Sequence, residues 1–227
     1  MALTAADVSF SYDARGGMGA KDILRGFSAT FHSGAITAVT GPNGSGKTTL
    51  ARLLVGILKP RAGEISIDGV PVSGLTLTEV GKRVGIVMQD PCRQIFTTSV
   101  WDEMMFGLEN IGISKSDAEQ LSGEYLSLFG LSDKMDCFPF ELSTGERQRL
   151  VLAAVLAAKP AYLILDEPTS SLDIGRRKTL GGYLSEIRDR DGVGVVLISH
   201  DARFVDEHAD SVITLSPCQV GAGEGSA

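Results

Sequence analysis

Cysteine is scarce in this chain: Cys92, Cys137 and Cys218 are odd in number, widely scattered, and form no C-x-x-C pair. That excludes a disulfide scaffold, offers no zinc-ligand spacing, and reads as reduced thiols of a protein inside the cell. Long apolar runs are missing as well. No stretch approaches the roughly 18–20 uninterrupted apolar residues of a membrane span. The longest candidate, residues 150–158, stops at Lys159 and Pro160. If the protein serves a membrane process, another chain has to cross the bilayer. The first residues hold no charged segment followed by an apolar stretch, so no secretory leader is expected. Basic charge is in deficit, 21 Lys and Arg against 28 Asp and Glu, for a net charge of −7. A nucleic-acid carrier would normally show the opposite balance. Internal repeats are also absent from the sequence.

What is present suits one sizeable α/β domain, since 43% of the 227 residues are hydrophobic and that is enough for a substantial core. Residues 8–12, 23–31, 36–40, 63–67 and 84–88 alternate or run apolar at strand length. Residues 13–21, with Gly16, Gly17 and Gly19, read as a flexible loop. Residues 50–58 read as a helix. After Gln89 the character changes, and residues 100–138 show helical periodicity in which strands are hard to place. Residues 146–158 read as a further helix, capped by Ser143, Thr144 and Gly145. Strand-like and helical runs then alternate: 162–166, 174–190, 193–199, 201–209 and 211–215. Buried strands alternating with helices predict a mostly parallel sheet covered on both faces. The tail, 221–227, is expected to be disordered.

The chemistry is concentrated in Gly41, Pro42, Asn43, Gly44, Ser45, Gly46, Lys47, Thr48 and Thr49. This run satisfies G-x-x-x-x-G-K-[ST] between an apolar strand and a helix. Glycines let the backbone curl around an anion with its N–H groups inward. Lys47 supplies a mobile ammonium for β- and γ-phosphates, Thr48 a hydroxyl for Mg²⁺, and the helix its positive dipole end. A second signal is the apolar strand that ends in Asp166 and Glu167. Such a strand delivers carboxylates to the sheet's C-terminal edge, where open α/β sheets bind ligands. Asp166 is expected to hold Mg²⁺, and Glu167, one residue further on, to polarise an attacking water. A third is Leu142, Ser143, Thr144, Gly145 and Glu146, a helix start whose Ser143 and Gly145 make an anion-receiving tip. Alone it is only an N-cap.

Taken in order, these motifs resemble the ATP-binding cassette (ABC) family of ATPases, over nearly the whole chain from Leu3 to Leu215. The resemblance implies an α/β, P-loop NTPase-like fold: a mostly parallel sheet with an N-terminal antiparallel β subdomain and a helical insertion. It divides a single domain, residues 1–220, into a core of 1–88 and 159–220 and a helical part of 89–158 that includes the signature helix. It implies ATP and Mg²⁺ as cofactors. Tyr12 matches the aromatic residue that stacks on adenine. Gln89 matches the glutamine that senses Mg²⁺ and the lytic water. His200 matches the switch histidine on the γ-phosphate. Asp173, in Ser170-Ser171-Leu172-Asp173, matches the loop that crosses between two ATP sites. Residues 142–146 match the signature that closes over ATP held by a partner, so a second cassette, identical or a sibling, is expected. Thr144 and Glu146 depart from the usual L-S-G-G-Q. A β-branched side chain and a negative charge there weaken this half of a composite site and favour a sibling.

Residues 87–96 and 100–107 are similar to stretches of energy-coupling factor and cobalt-type transporter ATPases, although Asp90 stands where asparagine is usual. That resemblance implies a peripheral subunit on the cytoplasmic face of the membrane, powering import of a vitamin or metal ion. Its partners would be a transmembrane scaffold and a substrate-binding membrane protein. Asp90, Asp102 and Glu103 are then expected to meet arginine-bearing scaffold helices, with Gln94, Phe96 and Trp101 in the same contact. Equally, the acids read as a solvated surface, and Phe96 and Trp101 as core of the helical part. A soluble cassette protein of translation or repair, an ATPase of another ABC transporter class, and a small-molecule kinase are the alternatives. The first usually brings fused cassettes or long coiled coils, and the kinase leaves residues 142–146 unexplained.

Overall fold

The computed structural model describes residues 1–12, 22–170 and 172–217. The loop expected at 13–21, Ser171, Cys218 and the tail at 221–227 lie outside the described residues. Five strands form one parallel sheet: β3 (Ile36–Thr40), β6 (Val84–Val87), β7 (Tyr162–Asp166), β8 (Gly194–Ile198) and β9 (Ser211–Thr214). Their order is β6-β7-β8-β3-β9, and every neighbouring pair is parallel. An antiparallel sheet is built from β1 (Ala2–Ser11), β2 (Asp22–His32), β4 (Ala62–Ile67) and β5 (Val70–Pro71), in the order β2-β1-β4-β5. The helices are α1 (Lys47–Leu54), α2 (Leu77–Gly81), α3 (Val100–Asn110), α4 (Lys115–Leu128), α5 (Thr144–Ala157), α6 (Ile174–Asp191) and α7 (Ala202–His208). The α/β expectation, with an antiparallel N-terminal sheet and a helical insertion, is met.

The parallel strands read as unbroken apolar runs because side chains of period 2 enter two different cores. On one side Ile36, Leu163, Leu165, Val195 and Leu197 meet Met104, Leu126 and Leu150 of the helical insertion and Leu184 of α6. On the other, Val39, Ile164, Val196 and Ile198 meet Leu50 and Leu54 of α1 and Leu3, Phe31 and Ile67 of the antiparallel sheet. The helical insertion therefore shares a core with one face of the parallel sheet.

The turn between β4 and β5 joins the two sheets. Asp68 Oδ1 accepts the Ala2 backbone N–H and the Tyr162 hydroxyl, each at 2.8 Å. Burial is the main cause that pushes the Tyr162 hydroxyl well above its ordinary range. The sheets also meet at Gly194. A β-carbon there would lie 2.6 Å from the His32 carbonyl oxygen and 2.8 Å from the Tyr162 ring. Gly181, which looks like a flaw in the middle of α6, has a similar reason: a β-carbon there would collide with the His208 imidazole of α7.

Three elements differ from the sequence expectation by two residues or more. Strand β1 starts at Ala2 rather than Val8, because a register shift between Ala5 and Val8, with Asp7 at φ 52°, hides the earlier alternation. Helix α1 covers Lys47–Leu54, not 50–58, since Val55 caps it and Gly56 turns left-handed at φ +73°. Helix α5 starts at Thr144, with Ser143 alone as the N-cap.

Gly194→Ala tests the meeting of the sheets. Overpacking there is expected to cost about 1–3 kcal/mol, read as a lower urea midpoint at unchanged m. A parental midpoint would contradict the close approach.

Candidate functional site

The phosphate-type loop lies between the end of β3 and the start of α1. Gly46, at φ 98°, caps α1 without any side-chain hydrogen bond, and no acid stands in the helix's first turn. The leading amide donors are thus left for an external anion. Gly41 needs its missing side chain, because a β-carbon would lie 2.9 Å from Ser45 Oγ and would collide with the Leu215 carbonyl. Lys47, 7% exposed, folds back on the loop and donates from Nζ to the carbonyls of Gly41 at 2.7 Å and Pro42 at 3.1 Å. The buried Ser45 hydroxyl has no protein partner.

Asp166 and Glu167 arrive at the same place from the end of β7. Asp166 is 4% exposed, and its Oδ1 has no hydrogen-bond partner. Burial raises its pKa; a hydrogen bond with the Thr48 side chain partly offsets this, and the neighbouring Glu167 charge adds to it. Glu167 takes a left-handed backbone, φ 52°, that a β-carbon disfavours, a kind of strain that concentrates at functional sites. His200, just beyond β8, donates to one Glu167 oxygen twice: ring Nδ1–H at 2.7 Å and backbone N–H at 3.3 Å. Asn43, Gly44, Gly46, Lys47, Thr48, Thr49, Gln89, Asp166, Glu167 and His200 all line one cleft of about 490 Å³. Tyr12 stands beside it, its hydroxyl 3.3 Å from Thr49 Oγ1 and its ring edge-on to Phe10, with 43% of the residue exposed. An uncapped helix end, an ammonium, an unpaired buried carboxylate and hydroxyls make a receptacle for a polyphosphate with a hard cation.

The turn before α5 carries a complete capping box. Ser143 Oγ accepts the Glu146 N–H at 3.3 Å, and Glu146 Oε2 accepts the Ser143 N–H at 2.8 Å. These bonds with Ser143 hold the Glu146 carboxyl below its ordinary pKa range. The departure at 146 thus serves the helix end, and it also puts an internal anion on the Ser143 amide. Thr144 Oγ1 accepts from Arg147 Nη2 at 3.4 Å. Asp173 caps α6, accepting the Arg176 N–H at 2.9 Å. Sequence reasoning missed Gln148, whose buried side-chain amide donates to the Pro168 carbonyl at 2.6 Å. It ties the start of α5 to the residue after Glu167. The available signal was an amide among the apolar positions of that helix.

The segment after Gln89 divides. Gln94 is engaged internally, its amide accepting from Met88 N at 2.6 Å and donating to the Ile86 carbonyl at 2.9 Å, along β6. Glu103 is 6% exposed and turned inward, its Oε2 accepting from Phe96 N, Thr97 N and the Thr97 hydroxyl. The polar groups of both, expected at a partner contact, are taken up locally: Gln94 by one backbone N–H and one backbone carbonyl, Glu103 by two backbone N–H groups and a hydroxyl. Trp101 is half-buried against the helical core. Asp90, Asp102 and Phe96 remain outside. Asp90 pairs with Arg93 at 3.5 Å, and Phe96, 71% exposed, lies 6.3 Å from the half-exposed ring of Phe106.

Comparison with known proteins agrees with this geometry. A family model described as ABC transporter matches residues 24–170. A putative ABC transporter ATP-binding protein of Pyrococcus furiosus is 40% identical over 200 residues, covering 88% of this chain and 76% of that protein. An energy-coupling factor transporter ATP-binding protein of Oceanobacillus iheyensis is 38% identical over 210 residues, covering 92% of this chain and 74% of that one. Among solved structures, cbiO1 from Clostridium perfringens, described as part of the ABC transporter complex cbiONQ, superposes with a TM-score of 0.82. It is 30% identical, and the match covers 94% of this chain and 84% of that one.

Asp166→Asn tests the buried charge. With the folded pKa raised above the unfolded one, the folded chain binds this proton more tightly. The penalty is then absent at low pH and complete above the folded pKa. Without nucleotide, the variant is expected to be more stable than the parent near neutral pH, with the gain fading as acid protonates the parent. Urea midpoints at both pH values measure it, and a neutral-pH midpoint no higher than the parent's would contradict the strain.

Proposed function

This chain belongs to the ABC transporter family of ATPases, and from that membership we propose that it powers an importer of the energy-coupling factor type. It would work at the cytoplasmic face of the membrane, paired with a second cassette and seated on a transmembrane scaffold that also carries a substrate-binding membrane protein. Among the described residues no helix is long and apolar enough to cross a membrane, so the crossing would belong to those partners. The cargo would be a vitamin or a metal ion. The observation that carries the reading is the single cleft shared by Lys47, Thr48, Gln89, Asp166, Glu167 and His200.

In this reading the Tyr12 ring takes the adenine. The amides of residues 43–48 hold the phosphates, and Lys47 exchanges the Gly41 and Pro42 carbonyls for β- and γ-oxygens. Thr48, Gln89 and Asp166 would hold Mg²⁺. They fit it as hard oxygen donors around a carboxylate oxygen that has no other partner, and the ion's contribution is to offset phosphate charge. Glu167 orients the lytic water and accepts its proton as the water oxygen bonds to the γ-phosphorus and the bond to the β-phosphate oxygen breaks. His200, bonded to Glu167, presents the rest of its ring to the γ-phosphate.

Residues 1–88 and 159–220 act as the catalytic part and 89–158 as the arm that reaches partners. Ser143, Thr144, Gly145 and Glu146 close on ATP held by the second cassette, with Asp173 crossing beside it. Because Glu146 already occupies the Ser143 amide, this half grips a phosphate less firmly than a glycine-rich signature. That supports a sibling rather than an identical partner. Phe96, Phe106, Asp90 and Asp102 offer an apolar patch with acids for a basic scaffold helix.

Glu167→Gln is the test of the site. Turnover is expected to fall by at least about 100-fold while ATP affinity is kept, and the ATP-bound chain is expected to stay associated with its partner cassette in light scattering. Near-parental turnover would overturn the assignment of the base.

A further inference from the structure

Outside the cleft, one side chain reaches both loops that carry the reacting groups. Arg177 sits in the first turn of α6. Its Nε donates to the Leu172 carbonyl at 3.0 Å, and its Nη1 donates to Asp201 Oδ2 at 2.7 Å. Asp201 directly follows His200. Its other oxygen caps α7 by accepting the Phe204 N–H at 3.2 Å, and its own N–H donates to Ser199 Oγ at 3.0 Å. The Asp201 side chain is only 16% exposed and that of Arg177 40%, so the pair is shielded more than an ordinary surface ion pair.

These bonds close a ring. The turn after Glu167 is held by the Ser170 N–H on the Glu167 carbonyl at 3.2 Å and the Leu172 N–H on the Thr169 carbonyl at 3.1 Å; Arg177 joins the Leu172 carbonyl to Asp201; His200, next to Asp201, returns to Glu167 at 2.7 Å. A cation in the first turn of a helix opposes the helix dipole, so the position has a local cost that these two contacts offset. The planar fork of a guanidinium can serve a carbonyl and a carboxylate at once, whereas an ammonium on a flexible stem holds one of them well.

We propose that Arg177 is a positioning residue for ATP hydrolysis: it couples the loop from Glu167 to Asp173 with the His200 turn, so the two move as a unit. A phosphate that draws His200 then also shifts Asp173, and a partner that engages Asp173 also sets His200. The inference rests on the roles given above to Glu167 and His200.

The test compares Arg177→Lys, Asp201→Asn and the double variant with Glu167→Gln, all in the full chain with its companion subunits. Asparagine keeps an oxygen to cap α7, and lysine keeps the charge, so both single variants preserve the fold. The expected result is a kcat lowered about ten-fold or more by Arg177→Lys, with KM for ATP and the thermal midpoint close to the parent's. The double variant should be no slower than the slower single one, because both remove one link. An inactive Glu167→Gln beside an Arg177→Lys of parental kcat would overturn this inference alone. So would losses that add, or a kcat that falls only together with the thermal midpoint. An active Glu167→Gln would overturn the reading of the base, and this inference with it.

Discussion

A carboxylate driven into the sheet with nothing to hold one of its oxygens is the constraint around which the rest is arranged. Asp166 is 4% exposed, and its Oδ1 has no protein partner. Burial of a charge without a partner is costly, and this protein sets beside it other groups open to an anion: an ammonium resting on two loop carbonyls, a buried Ser45 hydroxyl without a partner, and a helix end with no side-chain cap. In the proposed function, a triphosphate with its cation would engage all of them at once. The site is therefore preorganised at the expense of stability, and the fold has to hold it together by other means.

Those means are mechanical links between segments far apart in sequence. Parallel pairing of β3, β7 and β8 brings the phosphate-type loop, the two acids and His200 to one sheet edge. Gln148 attaches the α5 turn to the backbone just past Glu167. Asp68 and Gly194 lock the antiparallel sheet, which carries Tyr12 at the end of β1, against the parallel one. The helical insertion shares a core with the parallel sheet, which fixes the insertion against the face that carries Leu163 and Leu165.

Much of this was legible in the residues because it depends on short-range pattern. The strands of the parallel sheet are apolar on both faces and stand out as runs. The loop from Gly41 to Thr49 combines glycine, lysine and threonine at a fixed spacing, and the two acids end an apolar strand. What stayed hidden depends on long-range backbone partners that no local pattern records. Gln94 and Glu103 looked like surface polar groups, yet the first bonds the backbone along β6 and the second gathers the N–H groups of residues 96 and 97. Gln148 passed unremarked as one polar residue in a helix, and its partner is twenty residues on. Helix ends were misjudged where one residue decides them, as with Ser143 at α5 and Gly56 after α1.

The most direct measurement of the central claim is calorimetric titration of a non-hydrolysable ATP analogue into the parent and Asp166→Asn, each with and without Mg²⁺. If the unpaired Asp166 oxygen is the seat of the cation, Mg²⁺ tightens binding to the parent, and most of that gain disappears in the variant. Equal affinity in the parent with and without Mg²⁺, or an equal gain in both proteins, would contradict the account.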